Sequence, residues 1–196
     1  MKPKIIIILN LSTLLLVSSC FNEKVSYSEL TEVSKRLIPY KLEQIVNFID
    51  LESQSFDMTI IDDIIYSEWV DDYTNIQYRR VRMKQDSQNI YIELSIGGDG
   101  FLTINNIIPF DFNFVLYFNN KGNFLSDYTY YYGYQYFYSR KEINNMLYYD
   151  VVENINNYLY SENGIEHRTS RSILYNKTYG ILQVKDKGVV LFSINH

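Results

Sequence analysis

Alternation of apolar and polar residues from position 75 onward constrains this chain most, because it predicts paired antiparallel strands. Residues 77–84 and 89–96 both alternate between the two classes, and such alternation places one class on each face of a strand. A turn over 85–88 brings Arg80 opposite Glu93, so one face of the hairpin is apolar and the other carries an ion pair. The segment is therefore predicted to be a hairpin.

Further turn signals extend this pattern. Residues 98–100 read Gly-Asp-Gly, and a three-residue turn there pairs Ile96 with Leu102. Residues 119–122 and 186–188 also combine polar residues with glycine between apolar runs. The chain therefore contains at least four predicted hairpins.

Helical signals precede and interrupt these hairpins. Each is a serine followed three residues later by a glutamate, the spacing of a capping box: Ser26–Glu29 and Ser139–Glu142. They predict a helix pair over 28–51, bent at Pro39, and a helix over 140–160 whose apolar residues recur at every fourth position. Residues 56–70 are interpreted as a strand, with an amphipathic helix as the alternative. The predicted fold class is α+β, with an antiparallel sheet built from hairpins.

The first twenty residues form a separate unit. Lys2 and Lys4 precede an apolar run over 5–17, the layout of a secretory signal. As a helix, thirteen residues rise about 20 Å, less than the hydrocarbon core of about 30 Å. The run ends in a four-residue motif: Val17, Ser18, Ser19 and Cys20.

This motif resembles the lipobox of bacterial lipoproteins, an aliphatic residue and two small residues before a cysteine. The resemblance implies that a signal peptide over 1–19 is removed and that Cys20 carries a diacylglyceryl group, with fatty chains such as palmitate. Residues 20–27 would then be a tether and 28–196 a single domain. The implied location is the cell envelope. Phe21 in place of a retaining aspartate favours the outer membrane where a cell has two.

Composition narrows the partners. Without the signal peptide the formal charge changes from −5 to −7, because two lysines are lost, and an acidic domain is a poor partner for nucleic acid. Cys20 is the single cysteine, so disulfides, thiol catalysis and cysteine metal sites are excluded once it is lipidated. The predicted partner is the membrane, reached through Cys20.

Six tyrosines at alternate positions form the candidate ligand surface. On an extended chain their rings share one side, where they can stack on a sugar or clasp a peptide: Tyr128, Tyr130, Tyr132, Tyr134, Tyr136 and Tyr138. The competing interpretation is that the rings cover a sheet face or a helix, and that Gly133 interrupts the strand. The ligand would be a protein or a glycan.

Other clusters are better explained as structure. Six acids over 57–72 lack the spacing of a calcium loop, and the basic residues over 79–84 have Glu93 as a partner. No nucleophile elbow, zinc motif or phosphate loop occurs, so no catalytic residue, cofactor or metal is predicted. The sequence favours a lipoprotein that displays a small non-enzymatic binding domain. The alternatives are a hydrolase using a carboxylate pair and an inhibitor or immunity protein.

Overall fold

A computed structural model describes residues 25–85, 87, 90–98, 100–108, 113–119, 121–125, 128–130, 133–162 and 165–195, with backbone alone for 106–108, 128–130, 159–162 and 165–167. The signal peptide, the lipobox and Cys20 lie outside the described residues. Thirteen strands and one short helix, α1 (Glu32–Lys35), occur within these ranges. The strands are β1 (Ser26–Ser28), β2 (Ile45–Asp50), β3 (Ser55–Trp69), β4 (Thr74–Gln85), β5 (Ile90–Gly97), β6 (Phe101–Ile108), β7 (Phe114–Tyr117), β8 (Tyr128–Tyr130), β9 (Gly133–Ile143), β10 (Met146–Glu162), β11 (Ile165–Asn176), β12 (Gly180–Asp186) and β13 (Val189–Ile194).

The sheet consists of two meanders, joined where the first strand of one pairs with the last strand of the other. Strands β2 to β7 pair in chain order, as do β8 to β13, and β13 pairs with β2. All of these pairings are antiparallel, whereas β1 runs parallel to the start of β4. We call the β2–β7 half the first meander and the β8–β13 half the second meander.

The predicted α+β class is wrong, because within the described residues the fold is an antiparallel β-sheet with a single helical turn. The helix pair expected over 28–51 reduces to α1, which is followed by β2. The Thr31 hydroxyl, not that of Ser26, accepts the capping hydrogen bond, from the Ser34 N–H. Ser26 instead belongs to β1.

The helix predicted over 140–160 is also wrong, because this segment forms the β9–β10 hairpin. A four-residue spacing of apolar positions is a multiple of two, so it marks one face of a strand as well as one stripe of a helix. The decisive signal is the pair Asn144–Asn145, with φ of 51° and 62°. Two successive residues with positive φ make the tight turn that joins antiparallel strands.

Three of the four predicted hairpins form, whereas the turn over 119–122 joins only an isolated bridge between Phe118 and Phe124. The strand predicted over 56–70 is observed as Ser55–Trp69, and Ile96 pairs with Leu102 as expected. The β4–β5 register differs by two residues, because Glu93 faces Arg82 and not Arg80. An even shift keeps every side chain on its predicted face.

Residues 30–40, which precede β2 and which we call the inserted segment, add four residues to the core of the sheet. Leu30, Leu37, Ile38 and Tyr40 are all buried. They join a continuous apolar cluster drawn from both halves of the sheet. Each meander holds this segment by different chemistry.

The first meander holds the inserted segment through Arg79 of β4. The guanidinium pairs with both carboxylate oxygens of Asp63 at 2.9 Å, through Nε and Nη2. It also donates to the backbone carbonyls of Lys35, Ile38 and Tyr40, the last two at 2.8 Å. All five guanidinium N–H donors therefore have a partner.

The second meander holds the same segment through two buried hydrogen bonds, one to its own Tyr175 and one to Tyr40 of the segment. The Tyr175 hydroxyl donates to the Leu37 carbonyl at 2.6 Å, and the Ile181 N–H donates to the Tyr40 hydroxyl at 2.6 Å. A Cβ at Gly180 would overlap that Tyr40 hydroxyl. The absence of a side chain at Gly180 makes room for the ring.

Amide side chains tie the far ends of the two meanders together. The fully buried Gln135 accepts from the Tyr117 N–H and donates to the Tyr117 carbonyl, each at 3.0 Å, as a neighbouring strand would. Asn154 Nδ2 donates to the Val115 carbonyl at 2.8 Å. The backbone of β7 therefore gains partners that its hairpin does not supply.

Among the described helices none has both the length and the apolar character needed to cross a membrane.

Candidate ligand-binding surface

The predicted tyrosine run is divided between two strands, because β8 and β9 pair antiparallel with Tyr130 opposite Gly133. The expectation that one extended segment carries all six tyrosines is therefore wrong. Tyr132 lies outside the described residues, and the side chains of Tyr128 and Tyr130 are not described. Gly133 is the first residue of β9. Tyr134, Tyr136 and Tyr138 alternate along β9, where they share one face.

The three described rings differ in their surroundings. Tyr134 and Tyr136 meet edge to face with centroids 5.0 Å apart, and Tyr136 is 41% exposed. Tyr138 donates to Glu153 Oε2 at 2.8 Å, while Lys141 Nζ lies 3.8 Å from the centroid of the Tyr138 ring. Burial, and then the bond to Glu153, raise the pKa of the Tyr138 hydroxyl. Tyr136 is thus open to a ligand, whereas the Tyr138 hydroxyl is already engaged.

A second aromatic surface lies on the outer face of the first meander. Strand pairing places Tyr66 opposite Tyr78, Tyr78 opposite Gly97, and Phe101 opposite Tyr117. Gly97 also lies opposite Phe101, because the neighbouring pair is Ile96–Leu102. We call this line of four rings across five strands the aromatic row.

Gly97 divides the aromatic row into two pairs. Tyr66 and Tyr78 stack with ring centroids 5.6 Å apart, and Phe101 meets Tyr117 edge to face at 5.2 Å. Gly97 offers no side chain between Tyr78 and Phe101. The row is therefore open at its centre.

The next line of side chains is small and completes a concave site, which we call the notch. Ser95, Thr103 and Val115 face one another across β5, β6 and β7. With Tyr78, Phe101 and Tyr117 they enclose a cavity of about 290 Å³. Tall rings beside small side chains produce a shallow site with aromatic walls and hydroxyl groups.

Three arginines of the basic strand β4 form ion pairs, with members of the acidic cluster or with Glu93. Asp63 binds Arg79, Asp62 lies 3.4 Å from Arg80, and Glu93 lies 2.9 Å from Arg82. At the β3–β4 turn, Asp71 Oδ1 accepts from the Tyr73 N–H at 2.8 Å, which lowers the pKa of Asp71. Within the described part of the chain, no three carboxylate, histidine or cysteine side chains are grouped to hold a metal ion.

Sequence reasoning missed the notch because its walls come from four strands. Tyr78, Phe101 and Tyr117 become neighbours only when every intervening hairpin register is known. The register predicted for β4–β5 would have placed Tyr78 opposite Ser95 and not opposite Gly97. A glycine opposite an aromatic residue is the signal that a correct register would have exposed.

No family model matches the chain, and no curated protein or solved structure matches it significantly.

Proposed function

We propose that this protein is a membrane-anchored lipoprotein whose β-sheet domain binds a sugar ring of a cell-envelope glycan in the notch. The observation that carries the binding role is the notch itself, where Tyr78, Phe101 and Tyr117 stand beside Ser95 and Thr103. The anchoring role rests on the lipobox that ends at Cys20.

The chemistry of the notch suits a sugar ring. Aromatic faces pack against the C–H face of a pyranose, and a hydroxyl such as that of Ser95 can donate to or accept from its rim. The Thr103 hydroxyl donates to the Ser95 carbonyl at 3.2 Å and can accept a bond from the sugar. The volume of about 290 Å³ lies at the small end of the usual range for ligand pockets. It therefore fits one ring of a polymer whose remaining rings stay outside.

The binding role is tested by co-sedimentation of the protein with purified peptidoglycan, followed by calorimetry with soluble peptidoglycan fragments. Phe101→Ala removes a wall and Thr103→Phe fills the cavity, so each should weaken binding about tenfold, equivalent to about 1.4 kcal/mol. Tyr149→Ala is the matched control, since Tyr149 is an exposed aromatic residue outside the aromatic row.

Equal binding by all four proteins would contradict a sugar site in the notch. Loss of binding in Tyr136→Ala alone would instead assign the ligand to the β9 tyrosines. Circular dichroism on each variant confirms that the fold is retained.

The anchoring role is tested by mass spectrometry of the N-terminal peptide and by fractionation. We expect a lipid-modified Cys20 at the new N-terminus, and an unprocessed precursor in Cys20→Ala or after globomycin treatment. An unmodified Cys20 in a normally processed protein would refute the anchor.

A further inference from the structure

The β3–β4 hairpin extends well beyond the rest of the sheet on its β2 side. Strand β2 pairs with β3 only as far as Thr59, whereas β3 continues to Trp69. The turn is closed by the Val70 N–H, which donates to the Thr74 carbonyl at 3.0 Å. We call residues 69–73 the hairpin tip.

The hairpin tip is apolar and exposed. Trp69, Val70 and Tyr73 have exposed fractions of 57%, 51% and 47%. Single exposed apolar residues are common on protein surfaces, but three in one five-residue turn mark a contact surface. Tryptophan and tyrosine are also the residues enriched where proteins meet the headgroup region of a membrane.

The described chain begins beside this tip. Strand β1 pairs with the start of β4, with Ser26 opposite Thr74, and the Ser26 N–H donates to the Tyr73 carbonyl at 2.7 Å. Cys20 precedes Val25 by five residues, which span at most about 18 Å even when fully extended. Ser26, which bonds to the tip, is six residues from Cys20, so any lipid on Cys20 is attached within about 22 Å of that contact.

We propose that the hairpin tip rests in the headgroup region of the membrane that holds the lipid, with Trp69 and Val70 in contact with lipid. This inference rests on the proposed lipid anchor at Cys20. The anchor keeps the tip close to the bilayer, so weak apolar contacts suffice to orient the domain. The exposed acidic residues Asp71 and Asp72 select a zwitterionic surface over an anionic one.

Trp69 supplies the test, because it is the single tryptophan of the chain. The full-length protein is expressed with its leader, its Cys20 lipid is verified by mass spectrometry, and it is reconstituted into phosphatidylcholine vesicles with brominated acyl chains. We expect Trp69 fluorescence to be quenched at least twofold. Val70→Asp should abolish this quenching, because a charge is then placed among lipid headgroups and chains.

The matched control moves the reporter to the opposite end of the sheet. Because Phe192 pairs with Asp50, the β12–β13 turn lies beside the β2–β3 turn, away from the hairpin tip. Val189 lies at that turn and is also exposed. The variant Trp69→Phe with Val189→Trp should show no quenching, and Val189→Asp should leave the Trp69 signal unchanged.

Two outcomes overturn the inference, and they are distinguishable. A lipidated protein in which Trp69 is not quenched, or is quenched no more than a tryptophan at 189, refutes the membrane contact and leaves the anchor standing. A protein without lipid on Cys20 refutes the proposed anchor, and the inference falls with it. Stronger quenching in phosphatidylglycerol than in phosphatidylcholine vesicles would overturn the zwitterionic preference.

Discussion

The two meanders hold the same inserted segment in contrasting ways. The first meander uses one charged group, Arg79, whose five donors reach a carboxylate and three backbone carbonyls at a site that remains 13% exposed. The second meander uses neutral groups in a fully buried setting: the Tyr175 phenol bonds to the segment, and the Ile181 N–H bonds to the segment's own phenol, Tyr40. A guanidinium suits a partly hydrated boundary where several carbonyls converge, and a phenol suits a dry interior where one bond must be satisfied.

Removing Arg79 should give the largest loss of stability. Arg79→Ala leaves Asp63 and three carbonyls without their donor, and should lower the free energy of unfolding by about 4 kcal/mol. Urea denaturation at pH 7 measures the loss. Arg82→Ala removes a more exposed ion pair with Glu93 and should cost at most about 1 kcal/mol. Equal losses would show that Arg79 is an ordinary surface charge.

The fit of Tyr40 against Gly180 is tested by adding one methyl group. Gly180 has φ of 80°, so Gly180→Ala combines backbone strain with a steric clash against the Tyr40 ring, together about 3 kcal/mol. Gly188 has nearly the same φ of 78° but no atom within 4 Å of its would-be Cβ. Gly188→Ala should therefore cost only about 1 kcal/mol. Thermal denaturation of both variants isolates the clash, and matching losses would exclude it.

The hydrogen bonds of the two phenols are tested by removing one oxygen at a time. Tyr175→Phe leaves the Leu37 carbonyl unpaired, and Tyr40→Phe leaves the Ile181 N–H unpaired. Each should cost about 2 kcal/mol in denaturant unfolding, because a buried polar group loses its partner. Tyr136→Phe, at an exposed ring on β9, is the matched control and should change the stability by less than about 0.5 kcal/mol. A loss in Tyr175→Phe or Tyr40→Phe as large as that of Arg79→Ala would contradict the expected order.

The smallest effect is expected at alkaline pH, which weakens the contacts of the two buried tyrosines. Burial raises the pKa of Tyr40 and of Tyr175 above the usual value of about 10. Above pH 10 the unfolded chain loses these protons while the native protein keeps them, so stability present below pH 10 is lost as the pH rises. Each tyrosine contributes about 1.4 kcal/mol per pH unit. Tyr40→Phe should reduce the slope of unfolding free energy between pH 10 and 11, and an unchanged slope would contradict the burial argument.

Short turns could be predicted from the sequence, whereas the choice between helix and strand for the longer segments was less predictable. The Gly-Asp-Gly turn over 98–100 is short enough to fix the pairing of Ile96 with Leu102. Over 140–160 the apolar residues recur every four positions, which fits one face of a strand as well as one stripe of a helix. The tight turn at Asn144–Asn145 was not predicted. Helix prediction failed there because only the turn residues distinguish a long hairpin from a helix with the same apolar spacing.

The notch and the contacts that hold the inserted segment both depend on residues that lie far apart in the chain. Arg79 was identified as basic, but nothing near it in sequence indicates that its partners are backbone carbonyls about forty positions earlier. Tyr78 and Tyr117 enter one cavity only after three hairpin registers are set. By contrast, the β9 tyrosines were found at once because they are neighbours in sequence, and their ligand remains a prediction.

The pairing of β13 with β2 has a consequence for how the protein is made. These two strands occupy the middle of the sheet, although Phe48 and Ile194 lie near opposite ends of the chain. Hairpins in each half can form from contacts that are local in sequence. The β13–β2 pairing instead needs the final strand and joins residues that are far apart in the chain. Until β13 pairs with β2, the halves are two unfinished sheets with open edges. Those edges are the surfaces through which the folding chain is most exposed to aggregation.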